Sequence, residues 1–228
     1  MEAPAQDATN IWQLPRGLHK LPAQQIERSQ RHRSYFALVQ TVADKGYGAT
    51  TVADICRRAR ISKSTFYAQF KDKEACYLSA YRIAHDELVA AIVGGQDHQA
   101  GWQQRIQESV RAYLRYNQDN PAVARSFLVE IHAVGEKAWA LRDWGHEAFA
   151  RMQRGLYRVR RGAQPTIPEL PDELFMAMVA ALEEMVCSFV RRNLVDRITQ
   201  LEPRALFLLE AVYGGNPQAT AWLKESPA

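Results

Sequence analysis

The sequence predicts an all-α protein of about nine helices, in which a small N-terminal domain of three helices precedes a larger helical domain. Three observations favour this fold class. Apolar residues recur at helical spacing through most of the 228 residues, and no segment alternates like a strand. Capping residues and Gly or Pro breaks separate the periodic segments. A hydrophobic fraction of 47% is ordinary for a globular chain that is long enough to bury a sizeable core.

The net charge of +4 is unevenly distributed along the chain. Residues 1–85 carry an excess of six basic residues, whereas residues 86–228 carry an excess of two acidic ones. This asymmetry favours an anionic partner for the front of the chain, with nucleic acid as the first candidate. The alternative is chance variation of charge along the chain.

The predicted organisation begins with an N-terminal arm, residues 1–21, which is rich in Pro, Gln and Ala. Two interpretations stay open: a disordered arm, or an arm whose Trp12 and Leu14 pack on the body while its basic residues approach DNA. The first helix is expected over 23–45, ending at Gly46, with a core face that includes Phe36. The other members of that core face are Val39, Val42 and Ala43.

Two short helices and a tight turn are predicted over 51–73. Thr51 can cap the first of them, with Asp54 completing a capping box, and Ser62 can cap the second. Phe66 and Phe70, four residues apart, give the second helix one buried edge. Two caps eleven residues apart around a short turn indicate a helix-turn-helix, and this motif places its second helix in a DNA major groove.

The other face of that second helix offers polar groups to DNA. Its hydroxyls can bind phosphates or base edges, Lys63 can bind guanine, and Gln69 can pair with adenine. Capping or surface solvation is the alternative for each residue. Lys71 and Lys73, where the next helix begins after the Asp72 cap, form a candidate phosphate clamp. The hydroxyl candidates are Thr51, Ser64, Thr65 and Tyr67.

These residues resemble the N-terminal DNA-binding domain of the tetracycline-repressor (TetR) family of bacterial regulators. The resemblance covers roughly residues 30–85. It implies that the start of the first helix approaches phosphate, which adds Arg33 to the candidates, with a solvated helix face as the alternative. It also implies a variable helical domain that binds a ligand and forms a dimer. The matching residues are Gly46-Tyr47, Thr51 to Ile55, Ser62-Lys63, Thr65 to Tyr67, and Phe70 to Glu74.

Two positions depart from the usual pattern of this family. Arg60 stands where a glycine commonly precedes the turn. If this position has a positive φ, a residue other than glycine costs ~1 kcal/mol or more there, so either the turn geometry differs or Arg60 is retained for a phosphate contact. Ala68 and Gln69 replace the aromatic residue and histidine of many members. The operator sequence therefore cannot be transferred from other members.

We place the DNA-binding domain at residues 22–76, the effector-binding and dimerisation domain at 77–215, and a C-terminal tail at 216–228. The second domain is predicted to begin with a helix that ends near Gly94-Gly95 and to continue with five more helices. Pro121 to Val134 is expected to form one of these as a single helix. The helices over about 172–193 and 202–213 are expected to form a homodimer, because small and apolar residues there allow close packing.

An effector pocket is expected among the large apolar side chains of the later helices, with a few buried polar groups. His132, His146, Glu183 and Glu184 look buried, and for each candidate an ordinary core or dimer contact is the alternative. The candidate effector-binding residues are Phe127, Trp139, Trp144, Met152, Met178 and Glu183.

Other classes of protein find little support. Cys56, Cys76 and Cys187 are far apart and unpaired, so they suggest core residues in a reducing compartment. No phosphate loop, nucleophile elbow or metal-binding spacing is present, so neither an enzyme nor a metal or cofactor is expected. No apolar run approaches a membrane span, which favours a cytoplasmic location.

The sequence therefore predicts a DNA-binding transcriptional regulator that binds a near-palindromic operator as a homodimer. The resemblance implies that it acts as a repressor. A small apolar or aromatic effector is expected to release it. The alternative function is an architectural DNA-binding protein without an effector.

Overall fold

The computed structural model describes residues 23–97 and 99–214, and its regular secondary structure there is helical, which confirms the predicted fold class. The first helices are α1 (Ala23–Lys45), α2 (Val52–Ala59), α3 (Lys63–Gln69) and α4 (Lys73–Gly94). The later ones are α5 (Trp102–Asp119), α6 (Pro121–Ala124), α7 (Glu136–Ala163), α8 (Asp172–Arg191) and α9 (Glu202–Tyr213). The predicted arm, 1–21, and tail, 216–228, lie outside the described residues.

The starts of α2, α3 and α4 are the capped starts that the sequence predicts. The Thr51 side chain accepts a hydrogen bond from the Asp54 amide, and the Asp54 carboxylate accepts one from the Thr51 amide, which completes the capping box. Ser62 accepts from the Thr65 amide, and Asp72 from the Ala75 amide. Each cap satisfies a backbone donor that the first helical turn leaves free.

A first hydrophobic core holds α1, α2, α3 and the start of α4 together. Leu38, Val42, Ile55, Phe66 and Tyr77 are fully buried within it. α3 has only seven residues and would not be stable alone. The burial of Phe66 in this core therefore sets the orientation of α3.

The prediction that Phe36 belongs to the core face of α1 was wrong, since its side chain is 38% exposed. The buried positions of α1 include Tyr35, Leu38, Val39 and Val42, which follow the i, i+3, i+4, i+7 pattern. Phe36 lies one residue, or about 100° of helix rotation, away from Tyr35.

The prediction of a single helix over Pro121 to Val134 was also wrong, because this segment is not one regular α-helix. A π-helical turn, Arg125–Val129, and a 3₁₀ turn, Glu130–Ala133, follow α6. The Tyr77 hydroxyl donates to the Ser126 carbonyl at 2.6 Å, and the Ser126 hydroxyl donates to the Val39 carbonyl at 2.9 Å. Such side-chain insertions disturb the regular helical ladder.

The second core lies among α5, α7, α8 and α9. It is built around the buried side chains of Phe175, Val186, Ile198 and Tyr213. α4 contributes to the first core and also contacts α5 and α7, so it connects the two parts of the molecule. The domain boundary placed at residues 76 and 77 falls inside this continuous helix.

Candidate nucleic-acid interface and buried cavity

The turn between α2 and α3 is closed by Arg60, whose backbone is left-handed at φ 55° and ψ 48°. The Arg60 amide donates to the Arg57 carbonyl, and the Ile61 amide donates to the Cys56 carbonyl at 3.1 Å. This is the conformation that glycine usually adopts at the end of a helix. Arg60 therefore has the positive φ that the sequence left open, and its side chain is exposed.

α3 has one buried edge and one free face. Phe66 and Phe70 are 0% and 5% exposed, with ring centroids 5.3 Å apart. Lys63, Ser64 and Tyr67 are exposed on the opposite side. Tyr67 is 54% exposed although its ring contacts Phe66 edge-on, so this aromatic side chain is available to a partner.

The hydroxyls at the start of α3 form a local hydrogen-bonded group. The Ser62 hydroxyl lies 2.7 Å from that of Ser64 and 2.8 Å from that of Thr65. Thr65 is half-buried, whereas Ser64 is exposed. Ser64 thus lies on the free face, and Thr65 lies at its edge.

Thr51, at the start of α2, is exposed but already engaged in its cap, and its hydroxyl donates to the Asp54 carboxylate at 2.6 Å. The Asp54 carboxylate also binds Lys45 at 2.5 Å and Arg57. The hydrogen bond from Lys45, followed by those from Thr51, lowers the pKa of Asp54.

Gln69 and Lys73 face inward rather than toward solvent. The Gln69 amide nitrogen donates to the Gln30 side chain at 3.3 Å. The Lys73 ammonium donates to the carbonyls of Tyr47 and Thr50, both at 2.8 Å, and lies 3.9 Å from the centre of the Tyr47 ring. Burial, and then the charge of Lys45, lower the pKa of Lys73. Lys73 thus fastens the loop before α2 to α4.

Lys71 and Arg33 remain accessible to different degrees. Lys71 is exposed between α3 and α4, close to the end of the free face. Arg33 is half-buried on α1, and its Nε is buried without a hydrogen-bond partner in the described part of the chain. Nearby Arg31 pairs with Glu27 at 3.4 Å.

A cavity of about 350 Å³ lies in the second part of the molecule, lined mainly by apolar side chains of α4, α5, α7, α8 and α9. Three predicted effector residues, Phe127, Met152 and Glu183, line it. Its volume is within the range of small-molecule sites.

The other three predicted effector residues do not line the cavity. Trp139 is 47% exposed and packs against the His132 ring on the outside, with centroids 5.1 Å apart. Trp144 is 39% exposed and packs against the His85 ring in a tilted arrangement, with centroids 4.5 Å apart. Met178 is buried in the second core. Periodicity identifies apolar faces but does not tell packed core from cavity wall.

Sequence reasoning missed the α4 and α5 contribution to the cavity. Tyr81, His85 and Leu88 line it from α4, and Arg105 and Tyr113 line it from α5. Helical spacing predicts the apolar face of α5, but it does not predict that this face lines a cavity together with α4. His85 is 8% exposed, and neither ring nitrogen has a hydrogen-bond partner among the described residues.

One buried ion cluster borders the cavity. The Glu183 carboxylate, on α8, accepts from Arg142 at 2.6 and 2.8 Å and lies 2.7 Å from His146 Nε2, both on α7. Burial raises the pKa of Glu183, but the hydrogen bonds and charges of His146 and Arg142 outweigh it, so the pKa is lowered. His146 and Glu183 are buried as expected, whereas His132 and Glu184 are exposed, contrary to expectation.

The described residues contain neither a candidate membrane span nor a candidate metal site. Within residues 23–97 and 99–214, no helix has the length and apolar character needed to cross a membrane. Over the same ranges, no group of His, Cys, Asp and Glu side chains is arranged to hold a metal ion. The three cysteines are buried and unpaired.

Comparison with known proteins gives one family match in sequence. Residues 37–80, from α1 to the first turns of α4, match the family described as bacterial regulatory proteins, tetR family. No curated protein matches the chain.

Several solved structures share the fold. The fatty acid degradation regulator FadR from Bacillus halodurans has a TM-score of 0.73 at 18% identity, with 79% of this chain and 94% of that chain covered. FadR from Bacillus subtilis in complex with stearoyl-CoA has a TM-score of 0.70 at 16% identity, with 78% and 96% covered. A tetR-family regulatory protein from Rhodococcus RHA1 has a TM-score of 0.58 at 21% identity, with 78% and 96% covered.

Proposed function

This chain belongs, through residues 37–80, to the tetR family of bacterial regulatory proteins, and we propose that it is a repressor released from its operator by a long-chain effector. Family membership makes it a DNA-binding transcriptional regulator. The observation that carries the proposal is the free face of α3, with Lys63, Ser64 and Tyr67 exposed opposite the buried Phe66–Phe70 edge. A short helix held from one side presents its other side to a major groove.

In this proposal the exposed residues contact DNA directly. Tyr67 and Lys63 reach base edges or phosphates, and Lys71 binds phosphate beyond the end of α3. Ser64 and Thr65 add hydroxyl contacts, while Thr51 and Arg33 contact the backbone beside the groove. Gln69 reads a base only if it leaves Gln30. Lys73 acts by holding the 47–50 loop, because its ammonium is occupied by two carbonyls.

The assigned face is tested by a double variant, Lys63→Ala with Tyr67→Ala. We expect affinity for operator DNA, isolated by selecting bound fragments from the host genome, to fall at least tenfold at fixed salt, because two contacts of about 1–3 kcal/mol each are lost. Electrophoretic mobility shift measures the change. The matched control is Arg158→Ala with Val159→Ala, an exposed pair on α7. Equal affinity of the Lys63/Tyr67 variant and the wild type would refute the assignment.

We further propose that the regulator binds as a dimer through α8 and α9. Phe207 on α9 is 76% exposed, and its burial against a second copy would remove this apolar surface from water. Ala177 on α8 is exposed as well and allows a close approach. A two-fold dimer predicts a near-palindromic operator whose half-sites are one helical turn, about 34–36 Å, or a multiple of it apart.

The apolar cavity supports an effector with a long hydrocarbon part, and two structures of similar fold are FadR regulators, one of which holds stearoyl-CoA. We propose a long-chain acyl compound as the effector. It releases DNA only if it binds the DNA-free arrangement more tightly than the bound one. Titration of such compounds into the complex with DNA measures release.

A structural link between the cavity and the interface supports this response. The π-helical turn carries Phe127 and Leu128 into the cavity wall. Directly after it, the Glu130 carboxylate accepts a hydrogen bond at 3.0 Å from the Tyr47 amide, in the loop before α2. Movement of this turn would therefore reach the loop that orients α2 and α3.

The alternative function, an architectural DNA-binding protein without an effector, requires a filled core in the second domain. The cavity argues against it. A thermal-shift screen separates the two, since a ligand raises the melting temperature by mass action only where a site exists.

A further inference from the structure

The cavity is elongated along α4. Tyr81, Leu88 and Val93 all line it, and the helix between Tyr81 and Val93 is about 18 Å long at 1.5 Å per residue. Val93 is 41% exposed and Tyr81 only 9%, so the Val93 end reaches the surface while the Tyr81 end is enclosed. A long cavity with an outer and an inner end suits a linear ligand better than a compact one.

Two side chains of formal charge line this cavity in the described part of the chain, Arg105 and Glu183. Glu183 already has partners, since its carboxylate forms an ion pair with Arg142 and lies 2.7 Å from His146 Nε2. Arg105 forms no ion pair within the described residues, and its Nε is buried without a hydrogen-bond partner there. A guanidinium with a buried and unsatisfied donor carries a free-energy cost that an anionic partner would offset.

The surroundings of Arg105 favour a polar group at the outer end. Ser109, one turn further along α5, also lines the cavity and accepts a hydrogen bond at 2.6 Å from Gln96, which follows α4. Gln96 comes three residues after the exposed Val93. Between Tyr81 and Val93 on α4, the apolar side chain of Leu88 lines the cavity, and Val110 lines it from α5.

We propose that the effector is a linear amphiphile with an anionic head, bound by Arg105 at the outer end, with its apolar chain running inward toward Tyr81 and Phe127. The inference deepens the proposed function and depends on it. The reverse orientation would bring an anionic head to the Glu183 carboxylate, which lies on the inner side near Tyr81. A carboxylate or a phosphate accepts the two parallel hydrogen bonds of a guanidinium, so a free fatty acid and an acyl-CoA share the required chemistry.

The experiment measures binding of three probes to the full-length protein by isothermal titration calorimetry, below the critical micelle concentrations of the two anionic probes and within the solubility of the uncharged one. Palmitate carries a carboxylate, palmitoyl-CoA carries phosphates, and cetyl alcohol has a similar chain without a charge. We expect at least one anionic probe to bind the wild type about tenfold or more tightly than cetyl alcohol, and Arg105→Gln to remove that advantage. The anionic probe whose affinity falls in Arg105→Gln shows whether the headgroup bound by Arg105 is a carboxylate or a phosphate.

Two further variants separate headgroup binding from a general effect on folding. Arg105→Lys keeps the charge and should retain part of the advantage. Arg115→Gln, an exposed arginine on the same helix that does not line the cavity, should behave as the wild type. Circular dichroism melting of each variant checks that the fold is intact.

The proposal is overturned if Arg105→Gln binds the anionic probes as tightly as the wild type does. It is also overturned if cetyl alcohol binds the wild type as tightly as the anionic probes, although an uncharged long-chain effector would then still support the proposed function. Failure of all three probes to bind overturns the headgroup inference and the acyl effector together. The proposal that the protein binds operator DNA through α3 is then still tested by the separate mobility-shift measurement.

Discussion

At the scale of single residues, Arg60 shows how the helix-turn-helix is closed at a conformational cost. Its left-handed backbone, at φ 55°, lets the Arg60 and Ile61 amides satisfy carbonyls at the end of α2. A side chain in this region costs ~1 kcal/mol or more relative to glycine. The Arg60 side chain is exposed and has no compensating core contact.

We therefore predict that Arg60→Gly raises the free energy of unfolding by up to ~1 kcal/mol, since relief of strain exceeds the added entropy of the unfolded chain. Arg60→Val should lower it by at least a similar amount, because β-branched residues are least tolerant of positive φ. Urea denaturation followed by circular dichroism measures both changes. Arg60→Asn is the control, expected between the two. Equal stability of the Gly and Val variants would contradict the argument.

At the scale of secondary-structure elements, Glu183 joins α7 and α8 through a buried ion cluster. Arg142 and His146 come from adjacent turns of α7 and bind the two oxygens of one carboxylate on α8. His146 and Glu183 are buried, and the Arg142 side chain is 21% exposed. Loss of one member leaves the others buried and unpaired, which is strongly destabilising.

The lowered pKa of Glu183 sets the direction of its pH dependence. Because the native pKa lies below the ordinary value of 4.5, the unfolded state binds more protons between the two values. The stabilisation by Glu183 is therefore fully present above about pH 4.5 and lost as pH falls through the native pKa.

We predict that Glu183→Gln destabilises the protein by ~3 kcal/mol at neutral pH and that this difference shrinks below about pH 4.5. Urea denaturation of both proteins over a pH series measures it. The control is Glu184→Gln, because exposed Glu184 pairs with Arg191 at the surface. That change should cost no more than ~1 kcal/mol. A difference for Glu183→Gln that stays constant with pH would contradict the mechanism.

At the scale of the whole molecule, the exposed apolar surface indicates where a second copy would pack. Phe207 is the most exposed large apolar side chain among the described residues, at 76%. It lies on α9, one of the two helices expected to form the dimer. Burial of an exposed phenylalanine contributes about 1.5–3 kcal/mol at each copy of a two-fold interface.

We predict that Phe207→Asp weakens self-association by at least a hundredfold, since two such side chains lose their burial and two carboxylates are introduced. Sedimentation equilibrium of the purified protein measures the monomer–dimer constant. The matched control, Ile26→Asp, changes a 44% exposed apolar residue on α1 in the other domain and should leave association unchanged. A dimer of unaltered strength in Phe207→Asp would place the interface elsewhere.

Local sequence alone determined most of the helices and the helix-turn-helix over 51–73. The caps at Thr51, Ser62 and Asp72 act within four residues, so their effect is visible in the sequence and was confirmed. The Phe66–Phe70 edge follows from helical spacing in the same way. The positive φ at Arg60 was not determined in this way, because the sequence left the geometry of the turn open.

Only the tertiary structure decided which side chains face a partner and which face the protein. Lys73 binds carbonyls more than twenty positions earlier in the chain, and the Gln69 side chain donates to that of Gln30. The Tyr77 hydroxyl donates to the Ser126 carbonyl, which lies in the π-helical turn. Trp144 lies outside the cavity and Arg105 lines it, although both occupy predicted helices. These outcomes depend on contacts between residues far apart in the sequence, and no helical period or cap encodes them.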